Sequence, residues 1–585
     1  MVKGKGIIPC ITALAVLAAI LALGSVCAAQ VAQKYTAPNA STIGSGNEAT
    51  ADQTIPRPFS RPCVVQLFSD YLFENFNAQS FSYAPPADCP GPWAKVVLEG
   101  DFAVTAGVQY DRTANVWLGA TNIYFGTTPE PSSTLGPTWH FESDLTEYSS
   151  VFAAPQTGTV DLGNLVNSTY TGIISGSMQV QFYPLGWGFP EPVADMVLPL
   201  SAGSTGGTVA LSVPTDTLSA TFTLPTNIER AYLDVLAQSQ SGDEFWYSCA
   251  PNDVAGELDN CGNTGFRETE VTIDGQPAGV APIYPWIYTG GIDPFLWSPS
   301  PGVQTLNFAP YRVDLTPFAG VLSNGQPHEV SLSVYNADDY FSATANLLLY
   351  LDHFSKQVTG AVTENTIGAG PNPVVTEHLH SGANGIKGTV TVTSNRQFKL
   401  AGYAVTSHGR VNTEIVESIE FSNSQYYKDT DTQFEQNIDQ LTTISSVETV
   451  TNGPFVTTSN TSFSWPLTLD INYVVAADGS SAQTTTAKQT YEQQSTQTVN
   501  GFTTSSSQLS DSGKHTDVLN FDSSGNFTGN TNQTGKQDYK FNQFPFSCFH
   551  RKIDSVAGLL TSAKQSTNCG FGSMMSEDEP FQAKF

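Results

Sequence analysis

The sequence predicts an all-β protein: two consecutive jelly-roll-like antiparallel β-sandwiches followed by a further β-rich region. Only 13% of the 585 residues are charged, while Gly, Thr, Ser, Val, Tyr and Phe are plentiful, a composition that favours strands and turns over long charged helices. Short apolar runs alternate with polar residues at period two. Turn signals such as Asp274-Gly275 and Asn324-Gly325 separate the runs, and no amphipathic helices stand between them, as a parallel α/β scheme would require. At roughly 150 residues per domain the length allows three or four packing units.

Lys3 and Lys5 precede an apolar run from Ile7 to Leu23 and small residues around Val26, Cys27, Ala28 and Ala29. Residues 1–28 therefore read as a signal peptide, the run being at the short end for a membrane span. The expected mature protein is secreted or periplasmic, free of the membrane and monomeric. Residues 29–60 are rich in Ala, Ser, Thr, Gly and Pro and predict a flexible lead-in. The first sandwich is expected over 61–195, with strands Lys95 to Val104, Asn115 to Phe125, and Met178 to Tyr183. In the last, Met178, Val180 and Phe182 alternate with Gln179, Gln181 and Tyr183. The second, over 196–356, has strand candidates at Val209 to Val213, Ala220 to Leu224, Ala231 to Ala237, Glu268 to Ile273, Glu329 to Val334 and Asn346 to Leu351. From 357 to 585 Thr, Ser, Gln and Asn dominate. Phe463, Trp465, Leu467, Leu469 and Ile471 still recur at period two, marking a third β-rich region and not simple disorder.

The formal net charge is −29, which opposes binding to phosphate backbones and anionic membranes. Nucleic acid is excluded as a partner class, and the acidic surface suits an extracellular protein at low pH. Loss of the signal removes Cys10 and Cys27 and leaves six cysteines. Their order suggests local bridges Cys63 with Cys89, Cys249 with Cys261, and Cys548 with Cys569, other pairings being formally open. No CxxC pair occurs, the histidines do not cluster with the cysteines, and His378 with His380 make no site alone, so no metal or other cofactor is expected.

Three clusters set acids beside aromatics or arginine: Tyr110-Asp111-Arg112 before a strand, Asp243-Glu244-Phe245-Trp246-Tyr247, and Phe266-Arg267-Glu268-Thr269-Glu270. That mixture suits a cleft where rings stack on sugars and charged groups bind hydroxyls, although each acid also fits a turn, a loop or a solvated strand face.

The stretch GFRETEVTIDGQPAGVAPIYPWIYTGGIDPFLWSP and the following YRVDLTPFAGVLSNGQPHEVSLSVYNADDYFSATANLLLYLD resemble the signature region of the peptide N-glycosidase A family. DEFWYS, DRTANVWLGATNIYFGTTPEP and SDLTEYSS fit the same pattern, and the similarity covers about Cys63 to Asp352. A more distant resemblance links YDRTANVWL to the WDRYANVYV segment of the bacterial peptide N-glycosidase F type, and LPTNIERAYLDV to its LPTNTEKAYLRT. Its essential aspartate falls on Asp111. Its AEWCFR corresponds to DEFWYS plus, after an insertion, Phe266 and Arg267, so its assisting glutamate falls on Glu244.

The resemblance implies a hydrolase that cuts the amide between asparagine and the first N-acetylglucosamine of N-linked glycans on peptides or glycoproteins. Two departures stand out: that enzyme's third acid aligns near Asp161, where no glutamate stands, and one arginine is replaced by Pro294. Arg112 and Arg267 are candidates for the missing positive charge. The expected substrate contacts are Arg112, Trp246, Arg267, Glu268, Glu270, Asp293 and Trp297, with Asp161 in reserve. Trp117, Phe245, Tyr247 and Trp286 are further candidates for sugar stacking, weighed against the core role that aromatics usually have in sandwiches. The competing readings are a carbohydrate-binding protein on the same scaffold and a glycoside hydrolase with paired carboxylates.

Overall fold

The computed structural model describes residues 42–186, 192–383, 385–544, 547–567 and 576–577. The expected signal segment lies outside them. The first strands are β1 (Cys63–Phe73), β2 (Gln79–Tyr83), β3 (Trp93–Val104), β4 (Thr113–Leu118), β5 (Thr121–Thr127), β6 (Thr138–Asp144), β7 (Gln156–Leu162) and β8 (Ile174–Pro184). They form two antiparallel sheets ordered β1-β8-β3-β6 and β2-β7-β4-β5, the winding of a jelly roll. The alternation read in the sequence sets the inward faces: Met178, Val180 and Phe182 of β8 and Val96, Leu98 and Phe102 of β3 are all buried in one core. One expectation is corrected. Asn115 to Phe125 is not one strand but the body of the β4–β5 hairpin, turned at Gly119-Ala120 with Gly119 at φ 60°.

The second roll repeats the winding. Its strands are β9 (Met196–Leu200), β10 (Val209–Leu211), β11 (Leu218–Thr223), β12 (Ile228–Gln240), β13 (Glu268–Ile273), β14 (Gln276–Pro282), β15 (Tyr311–Asp314), β16 (Pro327–Tyr335) and β17 (Tyr340–Leu351). The sheets run β10-β17-β12-β15, with β9 also on β17, and β11-β16-β13-β14. Asp274 and Gly275, at φ 50° and 74°, turn β13 into β14, the left-handed pair that a tight hairpin needs. One short α-helix, α1 (Ala319–Leu322), follows β15.

The Thr/Gln-rich region folds as one antiparallel sheet of twelve strands: β18 (Thr359–Asn365), β19 (Val374–Gly382), β20 (Gly385–Thr406), β21 (Gly409–Thr430), β22 (Gln433–Asn452), β23 (Phe455–Val475), β24 (Ser481–Val499), β25 (Phe502–Phe521), β26 (Phe527–Phe544), β27 (Ser547–Val556), β28 (Leu559–Ser566) and β29 (Ser576–Glu577). Its middle strands, at about 3.3 Å per residue, extend far beyond a typical strand. One face carries Val392, Leu400, Ile419, Phe421, Leu467 and Leu469 into the core of the second roll.

Between these apolar rows stand amides, and they explain the unusual composition. Asn423 donates to the Tyr247 carbonyl at 2.8 Å, Gln436 to that of Ser248 at 3.0 Å and Gln425 to that of Cys249 at 3.1 Å. Farther along, Gln489 donates to Pro285 O at 2.6 Å and accepts from Val303 N at 2.9 Å, while Gln533 donates to Ser298 O at 2.8 Å. The partners are main-chain groups of irregular loops, which no strand ladder satisfies and which burial obliges to pair.

Residues 42–60 also differ from expectation. Ala49 and Ala51 are buried, Ala51 N donates to Gln537 Oε1 at 2.6 Å, and Arg57 pairs with Glu99 and Glu142. This part of the lead-in is pinned across the sheet and the first roll. Disulfides join Cys63 to Cys89 and Cys249 to Cys261. Cys548 is disulfide-bonded, and its expected partner Cys569 lies outside the described residues.

Candidate active site

The β4–β5 register places Thr113 opposite Thr127, and the chain keeps that pairing just beyond the hairpin. Arg112 N donates to Thr128 Oγ1 and Thr128 N to Arg112 O, both at 2.9 Å. One step farther Asp111 N donates to Glu130 Oε1 at 3.2 Å. Two acids nineteen positions apart thus leave the first roll side by side.

The second roll supplies the facing loops. After β12 a 3₁₀ turn (Ser241–Asp243) carries the chain to Glu244, whose N–H bonds Ser241 O at 3.0 Å. Asp243 is buried beneath it. Its carboxylate takes a 2.9 Å bond from Arg267 Nε and 2.8 Å bonds from the N–H groups of Asp338 and Asp339. The loop after β14 brings Gly290, whose N–H donates to Asp111 Oδ2 at 3.1 Å, while Thr289 Oγ1 donates to Thr128 O at 2.5 Å. Trp297 Nε1 holds the next carbonyl, that of Gly291, at 2.8 Å.

Asp111, Glu130 and Glu244 form one electrostatic unit, each partly buried and partly open to solvent. Burial raises the pKa of Asp111, opposed by the Gly290 N–H and by Arg112. Burial, then the charge of Asp111, pushes Glu130 up to about 7, with Glu244 adding to the rise. Glu244 is likewise pushed up to about 7 by burial and by Asp111. Three acids crowded together in a poorly solvated cluster hold a proton in the neutral range, which is how a carboxyl becomes a proton donor. Arg112 donates to Gln109 Oε1 at 2.6 Å and lies 6.0 Å from the Tyr110 ring centre, and its Nε has no hydrogen-bond partner among the described residues. Tyr110 is exposed and 5.5 Å from Tyr170, a pair of rings at the rim.

The structure thus brings Asp111, Glu244 and Arg112 together and adds Glu130, which sequence reasoning missed. Reading Asn115 to Phe125 as one strand hid it; the hairpin register, continued outward, sets Pro129 opposite Asp111 and so brings Glu130 next to it. The other expected substrate contacts are engaged elsewhere in the protein. Trp246 and Trp297 are 1% exposed and packed in the core, leaving no face for a sugar. Trp117, Tyr247 and Trp286 are also buried, and Phe245 is only partly so. Arg267 spends its donors on Asp243 and on the carbonyls of Thr264 and Gly262. Glu268 and Glu270 pair with Arg396 of β20, the latter at 2.6 Å. Asp293 is fully buried facing Asp517 of β25; burial and then the charge of Asp517 raise its pKa, whereas Asp517 is raised by its own burial and lowered by the bond to Asp293. Asp161 is exposed on β7, opposite Asn115.

One grouping among the described residues has metal-compatible spacing, Glu229, Asp352 and His408, with ligand atoms within 4.8 Å of one another. Glu229 begins β12, the end opposite Glu244, and both Asp352 oxygens already accept from Ser407. No described helix is long and apolar enough to cross a membrane.

Paired jelly rolls with an acid cluster between their loops define a class of carboxylate-based hydrolase or sugar-binding scaffold. Within it, residues 55–367 match the family model of peptide N-acetyl-β-D-glucosaminyl asparaginase amidase A. The chain is 33% identical over 390 residues to peptide-N4-(N-acetyl-β-glucosaminyl)asparagine amidase A of Prunus dulcis, spanning 63% of this chain and 67% of that protein. It belongs to this amidase A family. Among solved structures, PNGF-II is 11% identical with a TM-score of 0.37, covering 50% of this chain and 66% of that one. PNGase F of Flavobacterium meningosepticum is 14% identical with a TM-score of 0.34, covering 50% of this chain and 96% of that one.

Proposed function

We propose that this chain hydrolyses the amide bond between asparagine and the first N-acetylglucosamine of N-linked glycans, outside the cytoplasm and under acidic conditions. The observation that carries the proposal is the convergence of Asp111, Glu130 and Glu244 from both rolls in one partly exposed cluster, beside the Gly290 N–H. Family membership supplies the substrate class. A water held by Glu244 gives that carboxylate a proton as it attacks the amide carbon, the carbon–nitrogen bond breaks, and the nitrogen leaves with a proton from Glu130 as a glycosylamine. The peptide keeps an aspartate. Asp111, hydrogen-bonded by Gly290, positions the scissile amide and the first sugar, with Arg112 beside it. Two disulfides and a signal-like N-terminus support an oxidising, extracytoplasmic setting.

A defined glycopeptide incubated with the wild-type chain should lose its intact glycan and show the mass change of Asn to Asp. Asp111→Ala abolishes this, and Glu130→Gln lowers turnover by about 10²–10⁴-fold, the usual share of a general acid. Activity should decline above the value of about 7 at which Glu130, the proton donor, gives up its proton. A peptide that keeps one sugar would assign the chain to glycoside hydrolysis; an unaltered glycopeptide bound without turnover would make it a lectin.

A further inference from the structure

Just past Gly290 the chain turns onto the C-terminal sheet, and the turn is strained. Ile292 has a φ of 68°, a left-handed conformation that a β-branched side chain adopts only where its surroundings impose it. Those surroundings are specific. Trp297 Nε1 and Asp293 N both donate to Gly291 O, at 2.8 and 2.7 Å, and Gln483 of β24 donates to Ile292 O at 3.4 Å. Gln533 of β26 donates to Ser298 O at 2.8 Å. Asp293 accepts from Phe295 N at 3.0 Å through Oδ1 and turns its carboxyl to Asp517 of β25.

Asp293 and Asp517 are fully buried and in hydrogen-bonding contact, and each keeps one oxygen, Oδ2, that no other donor reaches among the described residues. Asn530 donates to Asp517 Oδ1 at 3.0 Å. The described groups packed against the pair are uncharged: β24 presents Gln483 and Thr485, and β26 presents Asn530 and Gln533. From β25 itself comes His515, buried 4.9 Å from the Trp297 ring and kept neutral down to about 4 by that burial. Two carboxylates in contact without a cation cannot both be ionised, whereas one proton between them turns the repulsion into a hydrogen bond. Burial and the charge of Asp517 hold a proton on Asp293 up to about 7.

We propose that Asp293 and Asp517 are positioning residues for the reaction: by sharing one proton they dock the Gly290 loop on the C-terminal sheet and so aim the Gly290 N–H at Asp111. Its effect on the reaction rests on the function proposed above; the docking does not. While the proton is held, the strained turn at Ile292 is fixed and Gly290 N stays 3.1 Å from Asp111 Oδ2. When it is lost, two facing anions push the loop from the sheet, Ile292 relaxes, and Asp111 loses its donor. The folded-state value of Asp293 lies above the unfolded one, so docking is firm in acid and weakens as pH rises through about 7. The C-terminal sheet gives no acid to the cluster of Asp111, Glu130 and Glu244, yet it sets the pH range in which that cluster is complete.

Hydrogen–deuterium exchange of the full chain across acidic to mildly alkaline pH reads the docking without any turnover. Once intrinsic exchange is divided out, protection of the Gly290, Gly291 and Asp293 amides should fall by up to about tenfold per pH unit above about 7, as the loss of one proton requires. Asp517→Asn keeps the shape and gives Asp293 a permanent N–H donor, so protection should stay level over the same range. The alkaline limb of kcat/KM on a glycopeptide should then be shallower in Asp517→Asn than in the wild type, a difference that altered packing alone does not produce. Asp293→Asn tests the same pair from the loop side if Asp517→Asn fails to fold, and should also level the protection. Wild-type protection that ignores pH, or a decline that persists in a folded Asp517→Asn or Asp293→Asn protein, overturns the proposal, as do alkaline limbs of equal steepness. A chain that shows the expected exchange but releases no glycan would overturn the amidase reading and leave the docking in place.

Discussion

Gly290→Ala is the sharpest probe of the acid cluster. A β-carbon at this position would sit 2.7 Å from Asp111 Oδ1 and 3.0 Å from its carboxyl carbon, and closer still to Glu130 Oε1. Comfortable carbon contacts lie at about 3.5–4.0 Å, so the carboxylates must retreat by roughly 0.5–1 Å. The retreat also stretches the Gly290 N–H bond to Asp111, now 3.1 Å. A displacement of about 1 Å at reacting groups costs about 10²-fold in rate, and a bond to a charged group is worth about 1.5–3 kcal/mol. The expected result is kcat/KM on a glycopeptide lower by about 10²-fold or more, with a fold intact by circular dichroism because the clash falls on partly open side chains. Without the N–H the Asp111 carboxylate loses a partner that favours its ionised form, so the acidic limb of the pH–rate profile should move to higher pH. A folded Gly290→Ala protein with wild-type kcat/KM and an unmoved profile would refute the placement of these carboxylates in the reaction.

Removing the guanidinium in Arg396→Met leaves Glu268 buried without its counter-charge, which should lower unfolding stability by about 3–5 kcal/mol in denaturant titrations; adding Glu268→Gln and Glu270→Gln should restore much of it. Opening the Cys249–Cys261 loop with paired serine substitutions should cost about 3 kcal/mol by thermal unfolding and reduce turnover, because the loop packs against the Arg267–Asp243 pair beneath Glu244. Burial and Asp517 push the Asp293 carboxyl up to about 7, above its unfolded value. Its contribution is therefore fully present below about pH 4 and is lost as pH rises through about 7, with a slope of about 1.4 kcal/mol per pH unit for each retained proton. Asp293→Asn should flatten the decline of the melting temperature over that window, and an unaltered decline would show that other groups set it.

Much of the jelly-roll architecture was legible because alternation such as Met178, Val180 and Phe182 reports directly which face is inward. Asp111 and Glu244 were legible only through resemblance, since a turn carboxylate and a loop acid look ordinary in isolation. What stayed hidden depends on pairing at a distance. Glu130 is significant only once the β4–β5 hairpin is known. The partner of Glu268 is 128 positions away on β20, so an ion pair between layers read as a substrate contact, with a solvated strand face as the alternative. Trp246 and Trp297 resembled sugar platforms because their motif is acidic and aromatic, but the sheet that buries them comes from the polar C-terminal region. That region withheld its long strands because its inward rows include Asn423, Gln425, Gln436 and Gln440, which no hydropathy pattern marks as core.

The amide rows of that sheet bear on how the enzyme can change over evolutionary time. Asn423, Gln425, Gln436, Gln489 and Gln533 address carbonyl oxygens of the loops, groups that every amino acid possesses. A loop seated this way can exchange its side chains and keep its seat. Substrate preference is then free to drift in the loops around Glu244 and Gly290 while the seat stays constant, and loops of equal length grafted from relatives should find the same anchorage.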